Sequence, residues 1–102
     1  MNEIILIGAG GHACACIDVI ENMQQYKIAG LVDKSIKPNV ELLGYPVLGL
    51  DDDLARLSKT FSYALITIGQ IKNAERRLSL YKLLVSLGYT LPNIISPFAY
   101  VS

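Results

Sequence analysis

The residues best equipped for chemistry in this sequence lie near its start, where Gly8-Ala9-Gly10-Gly11-His12-Ala13 follows the apolar run Ile4 to Ile7. The spacing fits G-x-G-x-x-[GA], with Ala13 in the last place, a pattern that cradles phosphate when a strand precedes it and a helix follows. Gly8 can take the positive φ of a tight turn, and Gly10 lets a phosphate approach the backbone. The helix after the turn presents unpaired N–H groups backed by about half a positive charge. Glycines can also serve only to make a tight strand-to-helix corner, but the strand and helix on either side favour binding.

Asp33 closes the next apolar run about 20 residues further on, the place from which an acid accepts hydrogen bonds from a ribose. Turn and acid together point to a phosphorylated nucleoside. His12, the one histidine, falls in the first helical turn, where the dipole disfavours its charged form. A neutral imidazole there can meet a base, sugar or phosphate, or can be a half-exposed side chain with no task; spacing leaves both open. No nucleophile stands beside it for a triad. Gly69 and Gln70 follow another buried run and are placed to line the opposite wall of a crevice.

Other polar groups read more plainly. Asp51, Asp52 and Asp53 suit the first turn of a short helix, since neighbouring side chains on a helix diverge and do not converge on a metal. Arg76 and Arg77, adjacent on a helix, read as a solvated face. Cys14 and Cys16 point about 200° apart at ~100° per residue. With one histidine and no further cysteine they make neither a disulfide nor a metal site, and they read as small buried residues of a reducing compartment.

The elements that must position these groups follow from periodicity. Residues 3–7 form an apolar run without alternation, a strand buried on both faces. From His12 to about Gln25, Ala13, Cys16, Ile17, Ile20 and Met23 recur at helical spacing. Residues 27–33 give a second strand, so the first unit is strand, glycine turn, helix, strand. Residues 34–44, with Lys34, Lys37, Pro38 and Gly44, read as an irregular loop. Tyr45 to Gly49 is extended, and Pro46 limits it to a sheet edge. A short helix to about Ser58 comes next, then a strand over 63–68. The helix over 73–87 carries Ala74, Leu78, Tyr81, Leu84, Val85 and Leu87 on its apolar side, and Gly88 ends it. A last short strand is expected over 91–97, between Pro92 and Pro97. The fold class is α/β, a Rossmann-like three-layer βαβ sandwich with a small, mostly parallel sheet.

Hydrophobic residues make up 52% of the 102 residues and charged residues 18%, enough apolar material to cover both faces of such a sheet. One domain spanning residues 1–102 is expected. Nine basic residues balance nine acidic ones, which leaves no cationic surplus for nucleic acid or an anionic membrane. The run from Ile4 to Ile7 is far too short for a membrane span or signal peptide, so a cytoplasmic protein is expected.

The order of motifs adds a resemblance: Gly-Ala-Gly-Gly-His, Ala-Gly-Leu-Val-Asp, Leu-Gly-Tyr-Pro-Val-Leu-Gly, Ile-Thr-Ile-Gly and Asn-Ile-Ile-Ser-Pro-Phe-Ala-Tyr-Val-Ser. Over essentially its whole length the chain resembles the amino-terminal domain of the NeuD/PglD sugar acetyltransferases. That resemblance implies a domain that binds a nucleotide-linked amino sugar or a sialic-acid-type acceptor. In that family a following β-helix of hexapeptide repeats trimerises, binds acetyl-CoA and carries the catalytic histidine. By resemblance, Gly10, Gly11 and His12 contact the nucleotide phosphates, Asp33 the ribose or base, and Gly69 with Gln70 the wall beside the base; Gly8 and Lys34 complete the candidate substrate-binding set. Lys34 stands where many relatives have a second acid, and Ser96 replaces the histidine of the usual Ile-His-Pro segment. Residues 1–102 are expected to bind no cofactor, to be inactive without the repeats, and to be monomeric apart from weak self-association through Phe98, Tyr100 and Val101. The alternative from the glycine turn and Asp33 is an NAD(P)-binding domain of an oxidoreductase or sensor.

Overall fold

Ile4, Ile5, Leu6 and Ile7 are all fully buried, which for consecutive residues of one strand requires cover on both faces of the sheet. A computed structural model describes residues 2–8, 11–33, 41–67 and 74–92. Its elements are β1 (Asn2–Ile7), α1 (Gly11–Met23), β2 (Tyr26–Val32), β3 (Glu41–Leu42), β4 (Tyr45–Gly49), a 3-10 turn (Asp51–Asp53), α2 (Leu54–Leu57), β5 (Tyr63–Ile66) and α3 (Ala74–Ser86). They form a five-stranded sheet in the order β3-β4-β2-β1-β5. Four strands are parallel, and only β3 runs antiparallel, to β4. This is the expected Rossmann-like α/β sandwich.

Alternation along β1 assigns the layers. Ile4 and Leu6 pack with Ala13, Ile17 and Ile20 of α1, while Ile5 and Ile7 pack with Leu54 and Leu57 of α2 and Leu80 and Leu84 of α3. In β2 the layer assignment needs a bulge. Ile4 lies opposite Ile28, but Ile5 lies opposite Gly30, so one extra residue is inserted at Ala29. That insertion lets Ile28 and Leu31, an odd number of residues apart, both join the α1 layer. Gly30 also marks the close approach of β2 to β4: a Cβ there would lie 2.6 Å from both the Leu48 side chain and the Pro46 carbonyl oxygen.

The chain steps from β1 through α1 to β2 and then to β4, and next returns to the far side of β1 to add β5. The direction of winding reverses between β1 and β5, the kind of switch point at whose carboxyl edge open α/β sheets bind ligands.

Several expectations need correction. Residues 34–44 are not wholly loop, because Glu41–Leu42 pairs with β4 through a two-residue turn at Leu43 and Gly44, with φ of 51° and 87°. Two left-handed residues match the twist of a hairpin, and a two-residue strand is too short to leave a periodic signal. Pro46 does not confine β4 to the edge, since β4 lies between β2 and β3. Its pairing with β2 uses Val47 and Gly49, so the missing N–H falls outside that ladder. The predicted single short helix is a 3-10 turn followed by α2.

Among the described side chains of α3 the buried ones are Leu80 and Leu84, while Leu78, Tyr81 and Val85 are each more than half exposed. Apolar residues surround more than half of that helix, and spacing alone does not choose the inward strip. Met23 of α1 is likewise exposed. Beyond α3, Thr90 makes a single parallel bridge to Tyr63. Leu91 and Pro92 are not in a strand, and the remainder of the expected last strand lies outside the described residues. No disulfide joins Cys14, half-buried, to Cys16, buried.

Candidate functional site

The carboxyl ends of β4, β2, β1 and β5 are stitched together by backbone hydrogen bonds that continue past the strands. The Asp33 N–H donates to the Gly49 carbonyl at 3.2 Å, the Gly8 N–H to the Val32 carbonyl at 2.7 Å, and the Thr67 N–H to the Ile7 carbonyl at 2.9 Å. Gly8 leaves the sheet with φ of 121°, a conformation that a Cβ would strain. Its carbonyl accepts the Thr67 hydroxyl at 2.7 Å. Gly8 is thereby anchored to β2 on one side and to the end of β5 on the other.

α1 begins at Gly11 and has no acid in its first turn, so nothing within the helix neutralises the positive end of its dipole. That end stands at the edge where Asp33, half-buried, terminates β2. A helix amino terminus, a left-handed glycine and a carboxylate at the end of the neighbouring strand are brought to one side of the sheet. Such an edge can hold phosphate on backbone N–H groups and a sugar hydroxyl on the acid.

One flank of the edge is built on hydrogen bonds and an ion pair. The Asp53 carboxylate accepts the Leu50 N–H at 2.9 Å, and the Asp53 N–H donates to the Leu50 carbonyl at 2.8 Å, so this acid does cap its turn as expected. Asp51 does something else. Its Oδ2 accepts from Arg76 Nη1 at 3.1 Å, with the two side chains only 23% and 22% exposed, and this ties the start of α3 to the end of β4. Arg76 is therefore not a solvated cation, and Arg77 beside it is half-buried. Among the described residues no group of three or more His, Cys, Asp or Glu side chains is placed to hold a metal.

The layer below is held by Tyr89, 5% exposed, whose hydroxyl donates to the Leu54 carbonyl at 2.7 Å. Burial pushes its phenol up to about 12. One open groove among the described residues, of about 540 Å³, lies elsewhere. It is lined by Glu21, Gln24, Tyr26, Lys27, Ile28 and Tyr45, at the end of α1 and the start of β2, the opposite edge of the sheet. There the Tyr45 hydroxyl donates to the Glu21 carboxylate; that bond, then burial, raises the Tyr45 phenol above its usual range.

Of the residues singled out from sequence, Gly8, Gly11, His12 and Asp33 come together at the carboxyl edge, His12 as the second residue of α1. Gly10, Lys34, Gly69 and Gln70 lie outside the described residues. Sequence reasoning missed Thr67, although a hydroxyl at the end of the apolar run Ala64-Leu65-Ile66 was a visible signal. It also missed the partner of Arg76, 25 residues away.

The sequence matches the family described as the PglD N-terminal domain over residues 3–84. A search of curated proteins returns no match. Among solved structures, a mutant perosamine N-acetyltransferase from Caulobacter crescentus, in complex with CoA and GDP-perosamine, is 30% identical with a TM-score of 0.79; the match covers 95% of this chain and 44% of that one. The acetyltransferase domain of PglB from Neisseria gonorrhoeae FA1090, in complex with acetyl coenzyme A, is 26% identical with a TM-score of 0.78, covering 95% and 45%. UDP-D-quinovosamine 4-dehydrogenase from Vibrio fischeri, 16% identical over 91% of this chain and 80% of that one, has a TM-score of 0.71 and shares the fold. The chain thus spans less than half the length of the two acetyltransferases.

Proposed function

Since the chain belongs to the PglD N-terminal domain family, we propose that it is the substrate-binding domain of an acetyl-CoA-dependent sugar acetyltransferase, acting on a nucleotide-linked or sialic-acid-type sugar in surface-polysaccharide biosynthesis. The observation that carries this reading is the convergence of the left-handed Gly8, the start of α1 and Asp33 at one sheet edge. The N–H groups ahead of α1 would receive the diphosphate, with Gly10, Gly11 and His12 as its contacts. Asp33 and Lys34 would take the ribose or base, and Gly69 with Gln70 would flank the base. The GDP-perosamine in the Caulobacter complex supports a nucleotide-sugar as the ligand class.

The domain's share of catalysis is positioning. Acetyl transfer requires the acceptor amine or hydroxyl to attack a thioester carbonyl while a general base takes its proton. In this reading that step and acetyl-CoA belong to a hexapeptide-repeat domain of the kind the family resemblance implies. No helix among the described residues is long and apolar enough to cross a membrane.

The test is a panel of UDP, a UDP-4-amino sugar, GDP, CMP-sialic acid and NAD, read by thermal stability. A ligand at a hundred times its Kd stabilises by about 2.7 kcal/mol. A shift with a nucleotide or nucleotide sugar that His12→Ala abolishes is expected. A shift with NAD alone, lost in Asp33→Ala, would replace this reading with a dinucleotide-binding one.

A further inference from the structure

Among the described residues, one polar side chain lies fully inside the core: Thr67, at 0% exposure. Burying a hydroxyl is costly unless it is hydrogen-bonded. This one is bonded to a backbone atom 59 residues earlier, the carbonyl oxygen of Gly8, at 2.7 Å. Its own N–H extends the β5–β1 ladder to Ile7. Gly8 is the residue at which the chain leaves β1 for α1, and its φ of 121° belongs to a glycine, the residue with the most conformations to lose. The Gly8 peptide groups are held by the Val32 carbonyl on one side and the Thr67 hydroxyl on the other. These two tethers come from strands on opposite sides of β1.

We propose that Thr67 is a positioning residue for the nucleotide site: by holding the Gly8 carbonyl across the point where the winding reverses, it fixes the direction in which the glycine turn leaves the sheet. It rests on the binding reading above and adds how that site is pre-organised. A turn already fixed in its binding geometry loses less conformational entropy when a phosphate arrives. Valine has the same shape as threonine and would fill the same space, so Thr67→Val removes the tether with little change in packing. Thr67→Ser keeps the hydroxyl and loses a methyl.

The experiment has two arms on the whole chain, with Ile66→Val as a control for simple loss of stability. In the first, amide hydrogen exchange is measured without ligand. Thr67→Val should speed exchange at Gly8 and through the start of α1 by more than its effect on global stability, and Thr67→Ser should not. In the second, the Kd for UDP and for GDP is measured well below the thermal midpoint. Thr67→Val should weaken binding by about tenfold, the equivalent of one net hydrogen bond at 1.4 kcal/mol per decade, with Thr67→Ser and Ile66→Val close to wild type. Unchanged local exchange, or unchanged affinity despite faster exchange, overturns the proposal. Equal losses in Thr67→Val and Ile66→Val overturn it too, because the effect is then one of stability. If wild type binds neither nucleotide the binding reading fails, and the exchange arm alone decides whether the hydroxyl holds the turn.

Discussion

Replacing Tyr89 with phenylalanine isolates one buried hydrogen bond and gives it a pH signature. The ring stays in the α2–α3 layer and only the hydroxyl, 2.7 Å from the Leu54 carbonyl, is removed. That carbonyl also accepts the Ser58 N–H at 3.0 Å, so the substitution leaves no orphaned acceptor. The cost at pH 7 should then be the net value of a hydrogen bond, about 1 kcal/mol, not the larger penalty of an unsatisfied group. For a domain of this size that lowers the thermal midpoint by about 4–8 °C.

At alkaline pH that contribution falls away. Burial raises the phenol of Tyr89 from 10.0 to about 12 in the folded chain. Its contribution is therefore complete below pH 10 and is lost as the pH rises from 10 towards 12, where the unfolded phenol ionises and the folded one resists. Tyr45 is raised as well, but it is common to both proteins and cancels in the difference. Urea unfolding of wild type and Tyr89→Phe between pH 7 and 11.5 should show wild type more stable at neutral pH, with the gap closing above pH 10. A gap that is absent at pH 7, or constant to pH 11.5, would refute the placement of this hydroxyl.

Gly30→Ala puts a Cβ 2.6 Å from the Pro46 carbonyl and from Leu48, and should cost about 1–3 kcal/mol as an overpacked contact between β2 and β4, read as a lower urea midpoint at unchanged slope. Asp51→Ala and Arg76→Ala break a pair that is mostly sheltered from solvent. Their double-mutant cycle should return a coupling near 1 kcal/mol, whereas the more exposed Arg56–Asp53 pair at 3.6 Å should return a few tenths at most.

What the sequence revealed and what it hid divide along the range of the interactions. β1, the positive-φ Gly8 and Asp33 were legible because a doubly buried strand, a left-handed glycine and a strand-end acid each leave a local mark in residue type. The Ala29 insertion was not, since nothing in Lys27-Ile28-Ala29-Gly30-Leu31 says which residue the partner strand will skip. α3 misled because Leu78, Tyr81 and Val85 continue the apolar surface of Leu80 and Leu84 around the helix, and the choice between strips is made by α2 and the sheet. Arg76 looked solvated because its partner Asp51 lies on another element. Thr67 was overlooked because its role is fixed by a carbonyl in the first turn of the chain. At the candidate site, Gly8, Asp33 and the first residues of α1, Gly11 and His12, lie at the edge that the motif implied.

The central claim is that a nucleotide sits at the carboxyl edge and not in the open groove at the other end of the sheet. It is tested most directly by titrating the isotope-labelled chain with UDP and with GDP and following backbone amide shifts residue by residue. Saturable shifts are predicted at Gly8, Gly11, His12, Asp33 and Thr67, with Glu21, Tyr26, Lys27 and Tyr45 unmoved. Shifts centred on those last four residues, or a response confined to NAD, would contradict it.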